Sequence, residues 1–361
     1  MTKKTLVTVV TANRYMAETI ARAIGATSEH EGYYHGKGYA VTWTNGEIIE
    51  AEYKHDEKFV MNSGQDMRQM YAHHFNFKMR NYDALLGWEK SKADEAQLSV
   101  IRTLWAKSDV IVNAMEPTFE GELAFLNLYW YLRIPVTVRR AWLPRLRKPI
   151  IIRAVENGTY SPDKHEKWLA EELVNFFLRA NAEASGDNLD TESSENNTTD
   201  DNSGVELNIV KGQTLHNMVT LWMDATVELG YEFEPTFLIA HKLYAKGLIS
   251  YPYLYQNGIP GNVYDSMRRD FRVLEHNARY GRMAKEVGWL STRNTFHNDE
   301  TPYTYNGHGI VTTGLHPTDL SRDEERLYNL IVKRVIEAFT PDDDDFQKKA
   351  RKKRKFHKKA G

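Results

Sequence analysis

Seven residues, EPTFEGE at 116–122, place three carboxylates within two helical turns. Clustered carboxylates suit Mg²⁺, a hard cation that seeks oxygen, and can hold it beside a phosphate. Glu116, Glu120 and Glu122 are therefore the candidate metal ligands. The same cluster also reads as the acidic first turn of a helix, favoured by the positive end of the helix dipole. A second group of interest is the tyrosine cluster Tyr251, Tyr253 and Tyr255 in LISYPYLY. Such rings serve either as packing or as a platform on which unpaired bases stack. Arg268, Arg269 and His308 are nearby cationic or titratable candidates, and their plain reading is a surface or structural role. His73 and His74 have no third partner at ligand spacing and read as structural.

The basic run KKARKKRK spans Lys348, Lys349, Arg351, Lys352, Lys353, Arg354 and Lys355 without apolar periodicity. It reads as an arm that neutralises nucleic-acid phosphates without regard to sequence, or else as a solubilising tail. A nuclear-localisation pattern is a further reading of it. The formal net charge of −2 conceals this segregation. Residues 347–361 carry nine Lys/Arg and no acid, which leaves −11 elsewhere, with seven acids in 187–206 and four more at Asp342 to Asp345. Charge in blocks marks tails and linkers.

The elements that would position these groups follow from periodicity. TLVTVV (5–10) reads as a buried strand, and Asn13 as the cap of a helix over 14–24 that Gly25 stops. GYAVTW (38–43) and EIIEAEY (47–53) flank Asn45-Gly46, which predicts a hairpin. A helix over 95–107, an apolar strand over 109–115, a helix from about Glu120 and a strand in 134–142 follow. That alternation predicts a parallel α/β sheet, with Glu116 at a strand's carboxyl end, where such folds bind ligands. Residues 183–206 are polar and contain no aromatic residue. They cannot bury enough surface to order themselves. Beyond them the pattern is helical, over about 213–229, 236–246, 261–277 and 322–339, the last opened by a Ser321/Glu324 capping box.

The chain has 361 residues, 41% of them hydrophobic, and no cysteine. Disulfides, thiolate metal sites and cysteine nucleophiles are excluded. No apolar run approaches the roughly 18 residues of a membrane span. MTKKTLVTVV reads as a first strand and not as a secretion signal, so the expectation is a cytoplasmic protein.

Several segments resemble type IA DNA topoisomerases, the topoisomerase III branch above all. QLSVIRTLWAKSDVIVNAMEPTFEGELAF (97–125) resembles the Toprim segment, whose pattern is close to D-x-D-R-E-G-E-L. IPVTVRRAWLPRL (134–146) is similar to the next strand and its R-x-W step. VVTANRYMAETIARAIGA (9–26) resembles the opening strand and helix, and YHGKGYAVTWTNGEIIE (34–50) the hairpin after it. FLIAHKLYAKGLISYPYLYQNGIPGNV (237–263) resembles the active-site segment L-Y-x-K-G-L-I-[ST]-Y-P-R-T-D-S. HGIVTTGLHPTDLSRDEERLYNLIVKRVIEAF (308–339) resembles the H-x-A-I-x-P-T-G region.

The resemblance implies an α/β Toprim-like parallel-sheet domain followed by a mainly helical, tyrosine-bearing domain. Expected boundaries are 1–157 for the first, 158–182 for a helical extension, 183–207 for an acidic linker, 208–341 for the helical domain, and 342–361 for an acidic patch and basic tail. It also implies a reaction. Tyr251 would be the nucleophile that attacks a DNA phosphodiester, with Glu120 and His308 assisting and Mg²⁺, weakly held, on Glu116, Glu120 and Glu122. The partner implied is DNA, in single-stranded form, contacted by Tyr253, Tyr255, Arg268, Arg269 and the tail; another DNA-processing protein is a second candidate partner.

The departures from the pattern are specific. The family's first glutamate and lysine fall on Ala12 and Asn13, its second aspartate on Thr118, its arginine on Phe119, and R-T-D-S on Tyr253, Leu254, Tyr255 and Gln256. The histidine of H-x-A-I falls on Gly307 or His308. The linker stands where the family has most of a large arch. Three readings follow: an impaired transesterase, a binding module retired from catalysis, or an interaction protein.

Overall fold

The computed structural model describes residues 5–54, 66–80, 87–158, 162–185, 214–287, 305 and 307–339. The chain divides into two compact units, Met1–Asn208 and Ile209–Gly361. Of the expected linker, 186–207 lies outside the described residues, as does the whole acidic patch and basic tail at 342–361.

The first unit starts with β1 (Val7–Thr11), in which Val9 and Val10 are fully buried. Asn13 caps α1 (Arg14–Ile24) by accepting from the Met16 N–H at 3.0 Å, and Gly25 closes it. Then come β2 (Ser28–His30), β3 (Tyr33–Gly36), β4 (Tyr39–Trp43) and β5 (Ile49–Tyr53). Next are α2 (Met67–His74), β6 (Phe75–Met79), α3 (Gly87–Lys107), β7 (Val110–Ala114), α4 (Phe119–Leu132) and β8 (Thr137–Arg140). Two helices finish the unit, α5 (Lys148–Asn157) and α6 (Pro162–Ser185).

The main sheet has the order β2-β3-β4-β1-β7-β8. Its four strands β4, β1, β7 and β8 are parallel, while β3 and β2 add antiparallel pairings at one edge. The sheet is therefore mixed, and the expectation of a purely parallel one is corrected at that edge. The predicted hairpin across Asn45-Gly46 does not form. Asn45 and Gly46 do adopt positive φ, but the Gly46 N–H bonds the Ala12 carbonyl at 2.9 Å. The turn thereby hands the chain to a second sheet, in which β5 pairs antiparallel with β6.

That second sheet packs on α4, whose other side faces the main sheet. Val10, Ile49, Ile101, Trp105, Ile111, Phe125 and Leu128 form the shared core. Removing each such side chain from water contributes about 1.5–3 kcal/mol. The polar seam across this layer is satisfied: Asn127 of α4 donates to the Ile49 carbonyl at 3.2 Å and accepts from the buried Tyr71 hydroxyl at 2.7 Å.

The second unit is helical, with α7 (Met218–Leu229), α8 (Phe233–Ala245), α9 (Gly261–Phe271), a 3-10 turn (Arg272–His276), α10 (Gly281–Glu286) and α11 (Arg322–Phe339). The apolar stripe of α11, Leu327, Leu330, Ile331, Val335 and Phe339, is buried, and α11 packs against α7 and α8. The capping box is present: the Ser321 N–H donates to Glu324 at 2.7 Å and the Glu324 N–H to the Ser321 hydroxyl at 3.3 Å. Among the described residues no helix is long and apolar enough to cross a membrane.

Lys246 adds a second donor to the Glu324 carboxylate, at 2.8 Å. Burial alone would raise this carboxyl, but the bonds from Lys246 and Ser321 outweigh it and hold its pKa below the ordinary 4.5. A carboxylate depressed in the folded state contributes stability above its unfolded pKa and loses it as pH falls through the folded value. Glu324→Gln is therefore expected to cost about 1–2 kcal/mol at pH 7. In urea melts at several pH values, the gap to wild type should close as pH drops below 4.5.

Candidate functional site

The parallel sheet reverses its strand order between β1 and β7, and ligands of such folds sit outside the carboxyl ends there. Thr11 is in register with Ala114, so the turn at Ala12-Asn13 lies beside the loop that begins at Met115. The candidate metal loop leaves β7 at this point. Thr118 caps α4, its hydroxyl accepting from the Gly121 N–H at 3.1 Å. The first turn of α4 then closes on the loop so tightly that a Cβ at Gly121 would overlap the Glu116 carbonyl oxygen. Glycine at 121 is a packing requirement of the loop.

The three carboxylates have three different environments. Glu120 is exposed in the first turn of α4, and Glu116 is half-buried. Glu122 is buried, at 3% exposure, and forms an ion pair with Nε of Arg140. Asn113 Nδ2 donates to its other oxygen at 3.3 Å, and His165 Nε2 of α6 lies 3.5 Å away. Burial alone would raise the Glu122 carboxyl; the Arg140 charge and the His165 contact more than offset this, so its pKa lies below the ordinary range.

Arg140 does more than neutralise Glu122. Its Nη1 donates to the carbonyls of Asn113 and Met115, each at 3.1 Å, and of Ala141 at 2.9 Å, and its Nη2 donates to the Glu116 carbonyl at 2.8 Å. Its guanidinium stacks 4.7 Å from the centre of Trp142. Trp142 in turn meets His165 and Trp168 of α6 edge-on. One side chain thus ties the end of β8 to the exit of β7 and the start of α4.

Glu122 is therefore corrected as a metal ligand: its oxygens are committed to Arg140 and Asn113 in a desolvated pocket. Among the described residues, no group of three or more His, Cys, Asp or Glu converges so as to hold a metal ion. The three-carboxylate Mg²⁺ set expected from spacing does not fit this donor arrangement.

The positions that depart from the topoisomerase pattern carry local structure instead. Ala12 packs against the core shared by the sheet and α4. Asn13 and Thr118 are helix caps. Phe119 anchors α6, meeting Trp168 at 6.5 Å and Phe176 at 6.0 Å between ring centres. Glu120 lies near Glu172 of α6, whose pKa is raised by burial first and by neighbouring negative charge second.

In the second unit, the segment before Tyr251 is pinned to the segment after His308. The Ser250 N–H donates to the Val311 carbonyl at 2.8 Å, Ile249 bridges Thr312, and the Thr313 hydroxyl donates to the Gly247 carbonyl. Tyr251 is buried, with 7% exposure, and meets His241, Tyr244 and Tyr253 edge-on. Burial pushes His241 down to about 4, so the ring beside Tyr251 is neutral at pH 7. His308 is buried, its Nδ1 2.8 Å from the Gly309 carbonyl, and its ring lies 6.0 Å from that of Tyr253. Tyr253 is buried as well, lying so close over Gly307 that no Cβ fits there.

An exposed platform of three stacked tyrosines is therefore not what forms. Tyr253 is corrected as a base-stacking residue: it is a packing group, and of the three only Tyr255, 74% exposed, presents its ring to solvent. Arg268 and Arg269 are exposed on α9. Lys348, Lys349, Arg351, Lys352, Lys353, Arg354 and Lys355 lie outside the described residues. Sequence reasoning missed Arg140, Asn113 and His165. The R-x-W step contained the signal, since an arginine buried at the end of a parallel strand needs a counter-charge.

No family model matches this chain. Over 140 residues, 38% of the chain, it is 28% identical to DNA topoisomerase 1 of Alkalihalophilus pseudofirmus. Over 124 residues, 34% of the chain, it is 31% identical to DNA topoisomerase 1 of Methanothermobacter thermautotrophicus. These matches span 19% and 16% of the two relatives. Full-length topoisomerase I from Thermotoga maritima aligns structurally with 92% of this chain and 60% of its own, at 15% identity and a TM-score of 0.49. The chain is related to the DNA topoisomerases.

The tight loop gives a direct expectation. Gly121→Ala forces the first turn of α4 off the Glu116 carbonyl and should cost about 1–3 kcal/mol, the scale of overpacking in a core. Chemical denaturation of the full chain measures it, and a loss under about 0.5 kcal/mol would show that the loop yields freely.

Proposed function

We propose that this relative of the DNA topoisomerases is a type IA-derived module that binds single-stranded DNA, with a Toprim-like first unit and slow strand cleavage through Tyr251. The observation that carries the reading is the ion pair of Glu122 with Arg140, which turns the last glutamate of the EPTFEGE motif from a reactive group into a structural one.

The chemistry of the slow step would be transesterification. The Tyr251 oxygen forms a bond to phosphorus, the phosphorus bond to the 3′ oxygen breaks, and a 3′-hydroxyl leaves; rejoining reverses each change. Tyrosine ionises near pH 10 in water, so the step needs charge aimed at the phosphate. Ala12, Asn13, Thr118 and Phe119 bring none. Glu116 and Glu120 alone would hold Mg²⁺ weakly. Removing one stabilising group commonly costs about 10²–10³ in rate, and several are missing together.

Binding needs less. Arg268, Arg269 and the tail supply cations for phosphates, and Tyr255 supplies a stacking face. Each phosphate neutralised on a single strand adds about −0.7 to the slope of log affinity against log salt.

Gel shifts with a labelled single strand should show binding that weakens steeply with salt, and deletion of 347–361 should flatten that slope. Trapping with denaturant in Mg²⁺ should yield only a trace covalent adduct, absent from Tyr251→Phe. Brisk relaxation of supercoiled DNA, abolished by Tyr251→Phe, would contradict this reading.

A further inference from the structure

At the end of α4 remote from the candidate metal loop, the first unit holds a cavity of about 530 Å³ between the end of α2, β6, Lys54 just after β5 and the turn after α4. Its walls include Phe75, Phe77, Tyr129 and Trp130, and its charged lining residues are Lys54 and Arg133, with no carboxylate among the residues lining it. The volume falls in the range of small-molecule sites, about 300–1,000 Å³. α4 has 14 residues, so at about 1.5 Å per residue the cavity lies roughly 20 Å along the helix from Glu116 and Glu120.

Two features limit what could occupy it. The aromatic walls suit a flat ring, which gains stacking on such faces. Lys54 and Arg133 suit an anion, and phosphate bonded to charged donors is the strong case.

We propose that this cavity binds a nucleoside phosphate, its base against the aromatic wall and its phosphate between Lys54 and Arg133. The ligand could be supplied as a free nucleotide or as the phosphorylated end of a strand. The inference stands on the cavity alone and does not depend on chemistry at Tyr251.

Arg133 gives a clean variant. Its φ is 53°, in the left-handed region where glycine sits without strain, so Arg133→Gly removes the cation and keeps the turn. Titration calorimetry of the full chain with dAMP should show one saturable site, with adenosine at least about tenfold weaker. Arg133→Gly and Lys54→Ala should each weaken dAMP about tenfold, the scale of one charge-assisted bond, with Tm within a degree or two of wild type or higher. A 5′-phosphorylated octadeoxyadenylate that displaces dAMP and binds more tightly identifies the strand end as the source; equal affinities identify the free nucleotide. Absence of binding by both probes, or affinities unchanged in Arg133→Gly and Lys54→Ala, overturns the proposal.

Discussion

A desolvated guanidinium must find its full set of acceptors or the fold loses several kcal/mol, and Arg140 sets that constraint for the first unit. Its neighbours are one carboxylate, Glu122, and four backbone carbonyls on β7, the following loop and its own strand. Removing one partner of such a buried pair typically costs about 3–5 kcal/mol, because the other charge stays behind unmatched. The arrangement therefore fixes several things together: the path of the loop from Met115 to Thr118, the tight entry of α4 over Glu116, and the seat of α6, whose His165 and Trp168 close over Glu122 and Trp142.

Around this interaction the neighbouring positions also serve the fold. The residues around EGE work as structure: two caps, one core contact and one aromatic anchor. The second unit follows the same pattern. The segment bearing Tyr251 is held by a bridge and by hydroxyl bonds to 311–313, and the tyrosine itself is enclosed by rings.

Much of this was legible in the sequence where the governing forces are local. Asn13 before α1 and the Ser321/Glu324 box before α11 are read within four residues, and both caps form. The alternation of apolar strands and helices likewise gives the parallel core. What escaped depends on partners distant in sequence. Asn45-Gly46 has the backbone of a turn, but a turn does not choose its sheet, and β5 gains more by pairing with β6 over α4. Tyr251, Tyr253 and Tyr255 alternate as an exposed row would, yet Gly307 opens a slot that only Tyr253 fills. The three glutamates look equivalent in the sequence. They differ because Glu122 points inward to Arg140, eighteen residues further on.

The most direct test is a double-mutant cycle on Glu122 and Arg140, using Glu122→Leu, Arg140→Met and the pair, with stability and Mg²⁺ dependence read on the full chain. The account predicts that each single variant loses about 3–5 kcal/mol, that the double variant recovers much of the loss, and that Mg²⁺ changes the stability of wild type and double variant equally. Additive losses, or Mg²⁺ stabilisation present in wild type and absent from the double variant, would show that Glu122 serves a metal site and not the fold.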